Sequence, residues 1–243
     1  MKNDIYDKLK EAIEDEQLVA LATVVAGPGL GEQRLVWPDG TSFGDVGPRE
    51  LETHVEDLIV RLFKSFGCER QTFDVAGDEF EIFVEIHPPR PQLIVVGAVH
   101  VAIPLVGFAK ALGLRTIVVD PRTAFATAER FPHVDELDTR WPDEALQAIG
   151  VNENTFLALL SHDLKLDVPA LEVVLRRPVR YIGALGSKKT HAKRVAALEE
   201  RGFDAAAVAR IHNPIGLDLG GRRAEEIAVA IIAEMVAVSH GRG

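Results

Sequence analysis

Four short turns carry the residues of this chain best suited to chemistry. They are Gly97-Ala98-Val99-His100, Asp120-Pro121-Arg122, Ser161-His162-Asp163 and Gly183-Ala184-Leu185-Gly186-Ser187. Their residue types suit the binding of an anion more than the breaking of a bond. Gly97 follows an apolar run and precedes Ala102, as in the Gly-x-Gly-x-x-Gly/Ala turn that brings a pyrophosphate against a helix end. The middle glycine is replaced by Val99. Its Cβ should push a pyrophosphate outward, which leaves this turn a weak or shifted anchor. Asp120 stands about 20 residues on, where such a unit presents a carboxylate to a ribose diol. The same residue would also open a tight turn before Pro121 and pair with Arg122.

The stretch "GALGSKKTHAKR" sends Gly183 and Gly186 into Ser187, a good helix N-cap. Free N–H groups at a helix start attract anions. Lys188, Lys189, Lys193 and Arg194 place positive charge within two turns. The stretch reads as a phosphate seat or as an exposed basic helix face, and it lacks the Walker glycine–lysine order. Ser161-His162-Asp163 has the residue types of a hydrolase triad. Adjacent residues rarely converge, however, so the trio reads as a turn with Asp163 near a helix cap and His162 available to a ligand. His100, His162 and His212 have no metal-ligand spacing. No catalytic set and no metal site is assigned.

These turns need a frame that brings them together. From residue 92 the pattern is strand, helix, strand, helix. "QLIVVGA", "LRTIVVD", "NTFLALLSHD" and "VRYIGALGS" are continuous apolar runs, as expected of parallel strands covered on both faces. Helices are expected after the first strand and at about 142–149, 167–177, 187–201 and 223–239. The fold class is therefore α/β: a Rossmann-like, doubly wound, mostly parallel sheet with all four turns at its ligand-binding edge. "RIHNPIGLDLGG" reads as a long loop shaped by Pro214, Gly216 and Gly220, and loops of that length usually carry function. The helix after it is apolar on more than one side, which suits packing on the sheet or on a second subunit.

Residues 1–86 read as a small α+β unit: a helix over 3–14, a strand at "LVALATVVAG", a hairpin around Asp39-Gly40, a helix over 48–67, and two strands around Gly77-Asp78. Glu50, Glu52, Glu56 and Asp57 read as the wet face of a helix, and Cys68 as structural. Prolines make 87–91 a connector, leaving 92–243 as the second domain. The net charge of −10 argues against nucleic acid or anionic membrane as the main partner. A single cysteine and the absence of an apolar leader suit a reducing cytoplasm.

"VVDPRTAFATAERFPHVDEL", "SHDLKLD", "YIGALGSKKTHAKRVAALEERGF" and "RIHNPIGLDLGGRRAEEIAVAIIAEM" resemble the XdhC/CoxI family of xanthine dehydrogenase accessory factors. The Pro214–Gly220 loop is the most family-specific piece. The resemblance implies a cofactor-binding chaperone. It would bind the molybdenum cofactor as molybdopterin or its dinucleotide, protect it during sulfuration, and pass it to a molybdenum hydroxylase apoenzyme. A sulfurtransferase is a further partner on this resemblance, and a homodimer is the commonest oligomer for a soluble chain. The residues toward the cofactor would be Gly97, His100, Asp120, Arg122, Ser161, His162, Asp163, Gly183, Gly186, Ser187, Lys188, His212, Pro214 and Gly216. The chain departs from the family pattern at Val99 and in the N-terminal domain, where the usual cysteines are missing. An NAD(P)-dependent oxidoreductase and a scaffold without ligand are the alternatives.

Overall fold

The computed structural model describes residues 2–64 and 66–242. Met1, Ser65 and Gly243, which the expected domains and the helix over 48–67 take in, lie outside the described residues. The chain forms two compact units, Met1–Pro89 and Arg90–Gly243.

The first unit is a five-stranded antiparallel sheet in the order β3-β2-β1-β5-β4, built from β1 (Val19–Ala26), β2 (Gln33–Val36), β3 (Ser42–Gly44), β4 (Cys68–Val75) and β5 (Asp78–His87). Alternation along β1 gives it two dry faces. Ala20, Ala22 and Val24 pack with Leu51, Val55 and Ile59 of α2 (Arg49–Leu62), while Val19 and Leu21 pack with Ile5 and Ala12 of α1 (Lys2–Glu14). The β2–β3 hairpin turns at Asp39, whose carboxylate accepts the Thr41 N–H (2.9 Å). The β4–β5 turn is one residue earlier than expected: Ala76 and Gly77 both have positive φ, 54° and 90°, the geometry of a two-residue primed turn. Two acids of the expected wet face have a partner instead. Glu52 and Glu56 accept from Arg34 at 2.5 and 3.0 Å and tie α2 to β2. Cys68 is exposed at the first position of β4. β5 runs on through His87, so the connector begins inside a strand.

The second unit is a six-stranded, wholly parallel sheet. Its strands are β6 (Gln92–Val96), β7 (Arg115–Val119), β8 (Glu136–Asp138), β9 (Thr155–Leu159), β10 (Tyr181–Ala184) and β11 (Ile211–His212), in the order β11-β10-β9-β6-β7-β8. The chain runs outward from β6 to β8, then returns to β9 on the other side of β6. That is the doubly wound Rossmann order, with its switch point between β6 and β9. One face packs on α4 (Pro142–Ile149), α5 (Leu164–Val174) and α6 (Lys188–Glu199), and the other on α3 (Ala102–Ala111) and α8 (Ala224–Ser239).

Two strands and one short helix, α7 (Ala205–Val208), are not legible in the sequence as separate elements: β8 and β11 have three and two residues, too few to show a period. β11 lies inside the expected 210–221 loop. α5 begins and ends three residues earlier than expected, because Asp163 caps it by accepting the Lys165 N–H (2.9 Å). Among the described residues no helix is long and apolar enough to cross a membrane.

Acid sensitivity has one identifiable source at the β7–β8 edge. Burial opposes the charge on Asp135, but Lys110 Nζ (2.8 Å) and the Thr116 N–H (2.8 Å) and hydroxyl (2.9 Å) outweigh it, so its carboxyl ionises at about 2. In the unfolded chain an aspartate ionises near 3.9. The stabilisation is therefore complete above about pH 4 and drains away as pH falls toward 2. It is on the order of 1 kcal/mol after solvent screening. Urea unfolding of Asp135→Asn should lose that part of the pH dependence between pH 4 and 2 and match the parent near pH 2.

Candidate functional site

All four turns fall at the carboxyl edge of the parallel sheet. At the switch point the turns after β6 and β9 touch. Gly97 has φ 108°, and a Cβ there would stand 2.8 Å from the Ser161 nitrogen and 2.9 Å from its Cα. The glycine is required by contact between two protein loops, before any ligand is considered. Gly97→Ala combines backbone strain with a clash against backbone, and should cost about 3 kcal/mol in urea unfolding.

The β6–α3 turn has no N–H left over at its first three residues. Gly97 donates to the Val119 carbonyl (2.9 Å), Ala98 to Asp120 Oδ2 (2.8 Å) and Val99 to the Gly97 carbonyl (2.9 Å). Val99 is half-buried against the core. The missing middle glycine is thus only part of the change: the first three backbone donors of the turn are also spent.

Asp120 takes the structural side of the two readings open in the sequence. Its side chain is fully buried. Oδ1 accepts from Arg122 N (3.0 Å) and Nε (2.9 Å), and Oδ2 from Ala98 N and Arg122 Nη2 (both 2.8 Å). A carboxylate has about four acceptor sites, and all are filled, so none is left for a ribose diol. Burial works against its charge, yet the Arg122 and Ala98 donors hold its pKa below the ordinary aspartate value. What this turn presents outward is Arg122, exposed, with its guanidinium 4.6 Å from the centre of the exposed Phe125 ring. The Asp120 bond raises the Arg122 pKa further, so its charge is permanent.

The β9–α5 turn holds Ser161 half-buried and His162 and Asp163 exposed. His162 has φ 58°, a left-handed conformation uncommon for a side-chain-bearing residue and often found at functional turns. Ser161 Oγ accepts the Asp163 N–H (3.2 Å) and donates to Asp167 Oδ1 (2.6 Å). Asp167 Oδ2 in turn accepts from Arg194 Nη2 at 2.6 Å, both side chains fully buried. Arg194 is a correction to the basic cluster: it points inward, donates to the Leu185 carbonyl (3.1 Å), and braces the β10–α6 turn from beneath. Its Nε and Nη1 are buried without a hydrogen-bond partner.

That β10–α6 turn brings an exposed helix cap and two exposed lysines together on the edge. Gly186 has φ 143°. Ser187 is exposed and caps α6, accepting the Thr190 N–H (3.2 Å). Lys188 and Lys189 are exposed in the first turn, where helix N–H groups have no carbonyl to bond within the helix. Burial and the neighbouring Arg194 lower the His191 pKa, which keeps that ring neutral.

The "HNPIG" segment straps this turn from the other side. Asn213 Nδ2 donates to the carbonyls of Ala184 (2.7 Å) and Gly186 (3.4 Å). Gly216 donates its N–H to Glu234 Oε2 (2.8 Å) and lies so close to α8 that a Cβ would meet Ile231 N at 2.9 Å. Glu234 also accepts from the buried Tyr181 hydroxyl and faces His212 Nδ1 at 3.4 Å. Burial first, and Glu234 second, raise the Tyr181 pKa, so the phenol stays protonated. A Cβ on Gly183 would lie 2.5 Å from Ile215 Cγ1 and against the Tyr181 hydroxyl. Gly183, Gly216 and His212 therefore build the edge from behind. Pro214, His100 and Lys188 are exposed on it. Among the described residues no three His, Cys, Asp or Glu side chains gather as metal ligands.

Sequence reasoning missed Asp167, Asn213 and Glu234, and took Arg194 for part of the basic cluster. The available signal was a single acid within an otherwise apolar stretch, "LDVPAL" for Asp167 and "AIIAEMVAV" for Glu234, since a charge there must find a buried partner.

This chain is similar to known proteins. The family described as the XdhC Rossmann domain matches residues 93–235. The uncharacterised Escherichia coli K12 protein YqeB is 25% identical over 98% of this chain and 46% of its own length. A Bacillus subtilis 168 protein, named as a probable subunit of xanthine dehydrogenase, is 29% identical over 64% of this chain and 45% of its own. The molybdenum cofactor insertion chaperone PaoD of Escherichia coli K12 is 33% identical over 36% of this chain and 28% of its own. The chain thus spans less than half the length of these relatives. A crystal structure described as a xanthine dehydrogenase from Bacillus halodurans, 20% identical, superposes with a TM-score of 0.56 over 97% of this chain and 96% of that one, and so shares its fold. With the family match covering more than half of its residues, and the matched stretch folding as a doubly wound parallel sheet, this chain belongs to the XdhC family.

Proposed function

We propose that this protein is an accessory factor that binds the molybdenum cofactor as cargo and passes it to a molybdenum hydroxylase apoenzyme. The observation that carries the reading is the β10–α6 turn: a capped helix start with Ser187, Lys188 and Lys189 exposed, held rigid by Arg194 below and Asn213 behind. The fit to such a cargo is specific to this turn. A phosphate needs N–H donors and positive charge; the α6 end has both, whereas the first three N–H groups of the β6–α3 turn are internally bonded. Arg122 and His162 add donors further along the edge. The turns after β7 and β10 stand three strand spacings apart, roughly 14 Å, enough for a dinucleotide form to reach from Ser187 toward Arg122. The relatives' names support the delivery role.

In this reading no bond is made or broken by the chain's own residues. Ser187, Lys188 and Lys189 bind the phosphate, His100, His162 and Arg122 orient the rest of the molecule, and the Ser161–Asp167–Arg194 network keeps the seat from collapsing. The cofactor's metal chemistry belongs to the client enzyme. A sulfurtransferase that acts on the bound cargo is a further partner on this reading, set in a reducing cytoplasm. An NAD(P)-dependent activity has less support, because Asp120 has no acceptor left for a ribose.

Native mass spectrometry of the protein purified from its own host tests the proposal. The expected result is an added mass equal to molybdopterin or its dinucleotide. Ligand-free protein from a host with active molybdenum hydroxylase, together with unchanged hydroxylase activity when the chain is deleted, contradicts it.

A further inference from the structure

The first unit holds a cavity of about 480 Å³ within its own fold. Pockets of roughly 300–1,000 Å³ hold small organic ligands. Ile5 of α1, Leu30 of the β1–β2 loop and Phe43 of β3 supply apolar walls, and Glu32 and Asp45 supply charge. Among the described residues no basic side chain lines it. None of these residues belongs to the four turns of the second unit.

The local packing shapes this cavity. Gly44, also in its wall, has φ 99°, and a Cβ there would stand 2.2 Å from the Gln33 carbonyl oxygen and 2.6 Å from Ile5 Cδ1. Only glycine lets β3 close against β2 and α1 at this point. Ile5 is buried and Phe43 half-buried in one apolar cluster, so two of the walls are fixed by the core. Leu30, by contrast, is 69% exposed. An apolar side chain held in solvent beside a concave apolar wall gains burial when a ligand covers both.

The charged groups set the sign of that ligand. Asp45 Oδ1 accepts the Gly47 N–H (2.6 Å), and Glu32 is exposed. Among the described residues neither carboxylate has an ion-pair partner. Two carboxylates repel a phosphate-bearing molecule, which sets this cavity apart from the phosphate seat on the second unit. The aromatic wall already attracts a cation: Lys8 Nζ stands 4.8 Å from the centre of the Phe43 ring. Apolar walls, a ring that takes a cation and two carboxylates without a counter-charge together suit an apolar body carrying a positive group.

We infer that this cavity binds a small organic amine, with its apolar body on Ile5, Leu30 and Phe43 and its ammonium directed to Glu32 and Asp45. This binding stands whether or not the second unit seats a phosphate.

An NMR titration of the full chain with phenylpropylamine tests it, with phenylpropionate and phenylpropanol as probes of similar shape and different charge. The amine should shift the amides of Leu30, Gly31 and Gly44 saturably, with a dissociation constant of about 1 mM, ordinary for a probe of about ten non-hydrogen atoms. Phenylpropionate should bind at least about tenfold more weakly. Glu32→Gln with Asp45→Asn keeps an oxygen at position 45 for the Gly47 N–H. It should weaken the amine about tenfold and leave the alcohol unchanged. Should that variant fail to fold, salt decides: raising the ionic strength should weaken the amine in the parent protein and not the alcohol. No saturable shift at these residues, equal affinity for amine and carboxylate, or an amine affinity that neither the double substitution nor salt changes overturns the inference.

Discussion

Ser187→Asp should lower the affinity for molybdopterin about a hundredfold while leaving thermal stability unchanged within about 0.5 kcal/mol. The two outcomes separate because aspartate caps a helix as well as serine does, and its charge is favoured by the helix dipole. The fold therefore keeps what Ser187 contributes to it, the bond from the Thr190 N–H. The same charge stands where the phosphate must sit. Two like charges 4 Å apart repel by about 4 kcal/mol at the effective dielectric of a protein surface, and a hundredfold loss needs only about 2.7 kcal/mol. Ser187→Ala should show the reverse: a loss of about 1 kcal/mol in stability with a small change in binding. Calorimetric titration and thermal unfolding of the three proteins side by side read both effects. A hundredfold loss that accompanies unfolding in Ser187→Asp would count against the assignment.

Asp167→Leu should be the most destabilising single change at this edge, about 3–5 kcal/mol, because it leaves Arg194 buried with no counter-charge. Arg194 already has two nitrogens without partners, so nothing nearby stands ready to take over from the carboxylate. For a unit of this size the melting temperature should fall by about 10 °C. The double variant Asp167→Leu with Arg194→Met should recover most of that loss, since a well-packed apolar pair replaces a buried ion pair at little cost. The double variant should nevertheless bind molybdopterin less well than the parent. Arg194 holds the Leu185 carbonyl and Asp167 holds the Ser161 hydroxyl, so removing both loosens two turns of the edge without touching a ligand. Full stability recovery with unchanged binding would show that the network serves the fold alone.

The larger architecture is legible in the sequence because its signals are long. Five-residue strands such as "QLIVV" and "TFLAL" are buried along their whole length and read as continuous apolar runs. The α4 bounds follow from Pro142 and Gly150 at its two ends. The positions of the turns are legible for the same reason, since each follows such a strand. The roles within the turns are not. Asp120 has the same sequence context whether it holds a ribose or closes a turn, and only the four donors around it decide. Arg194 and Lys193 are neighbours in a basic stretch, but one helical step of about 100° sends Arg194 under the sheet edge and leaves Lys193 in solvent. Gly97 reads as a ligand glycine in sequence, although its demand comes from Ser161, over 60 residues away along the chain. Long-range contacts of this kind leave no local period to detect.

On the proposed reading, this XdhC-family chain seats a phosphate at the start of α6 and not at the β6–α3 turn. Backbone amide chemical shifts followed by NMR, as the protein is titrated with molybdopterin, test that placement most directly. The largest changes are expected at Gly186, Ser187, Lys188 and Lys189, with smaller ones at His162 and Arg122, and little movement at Gly97, Ala98 and Val99. Changes centred on Gly97–Val99 with the α6 start unmoved would contradict it.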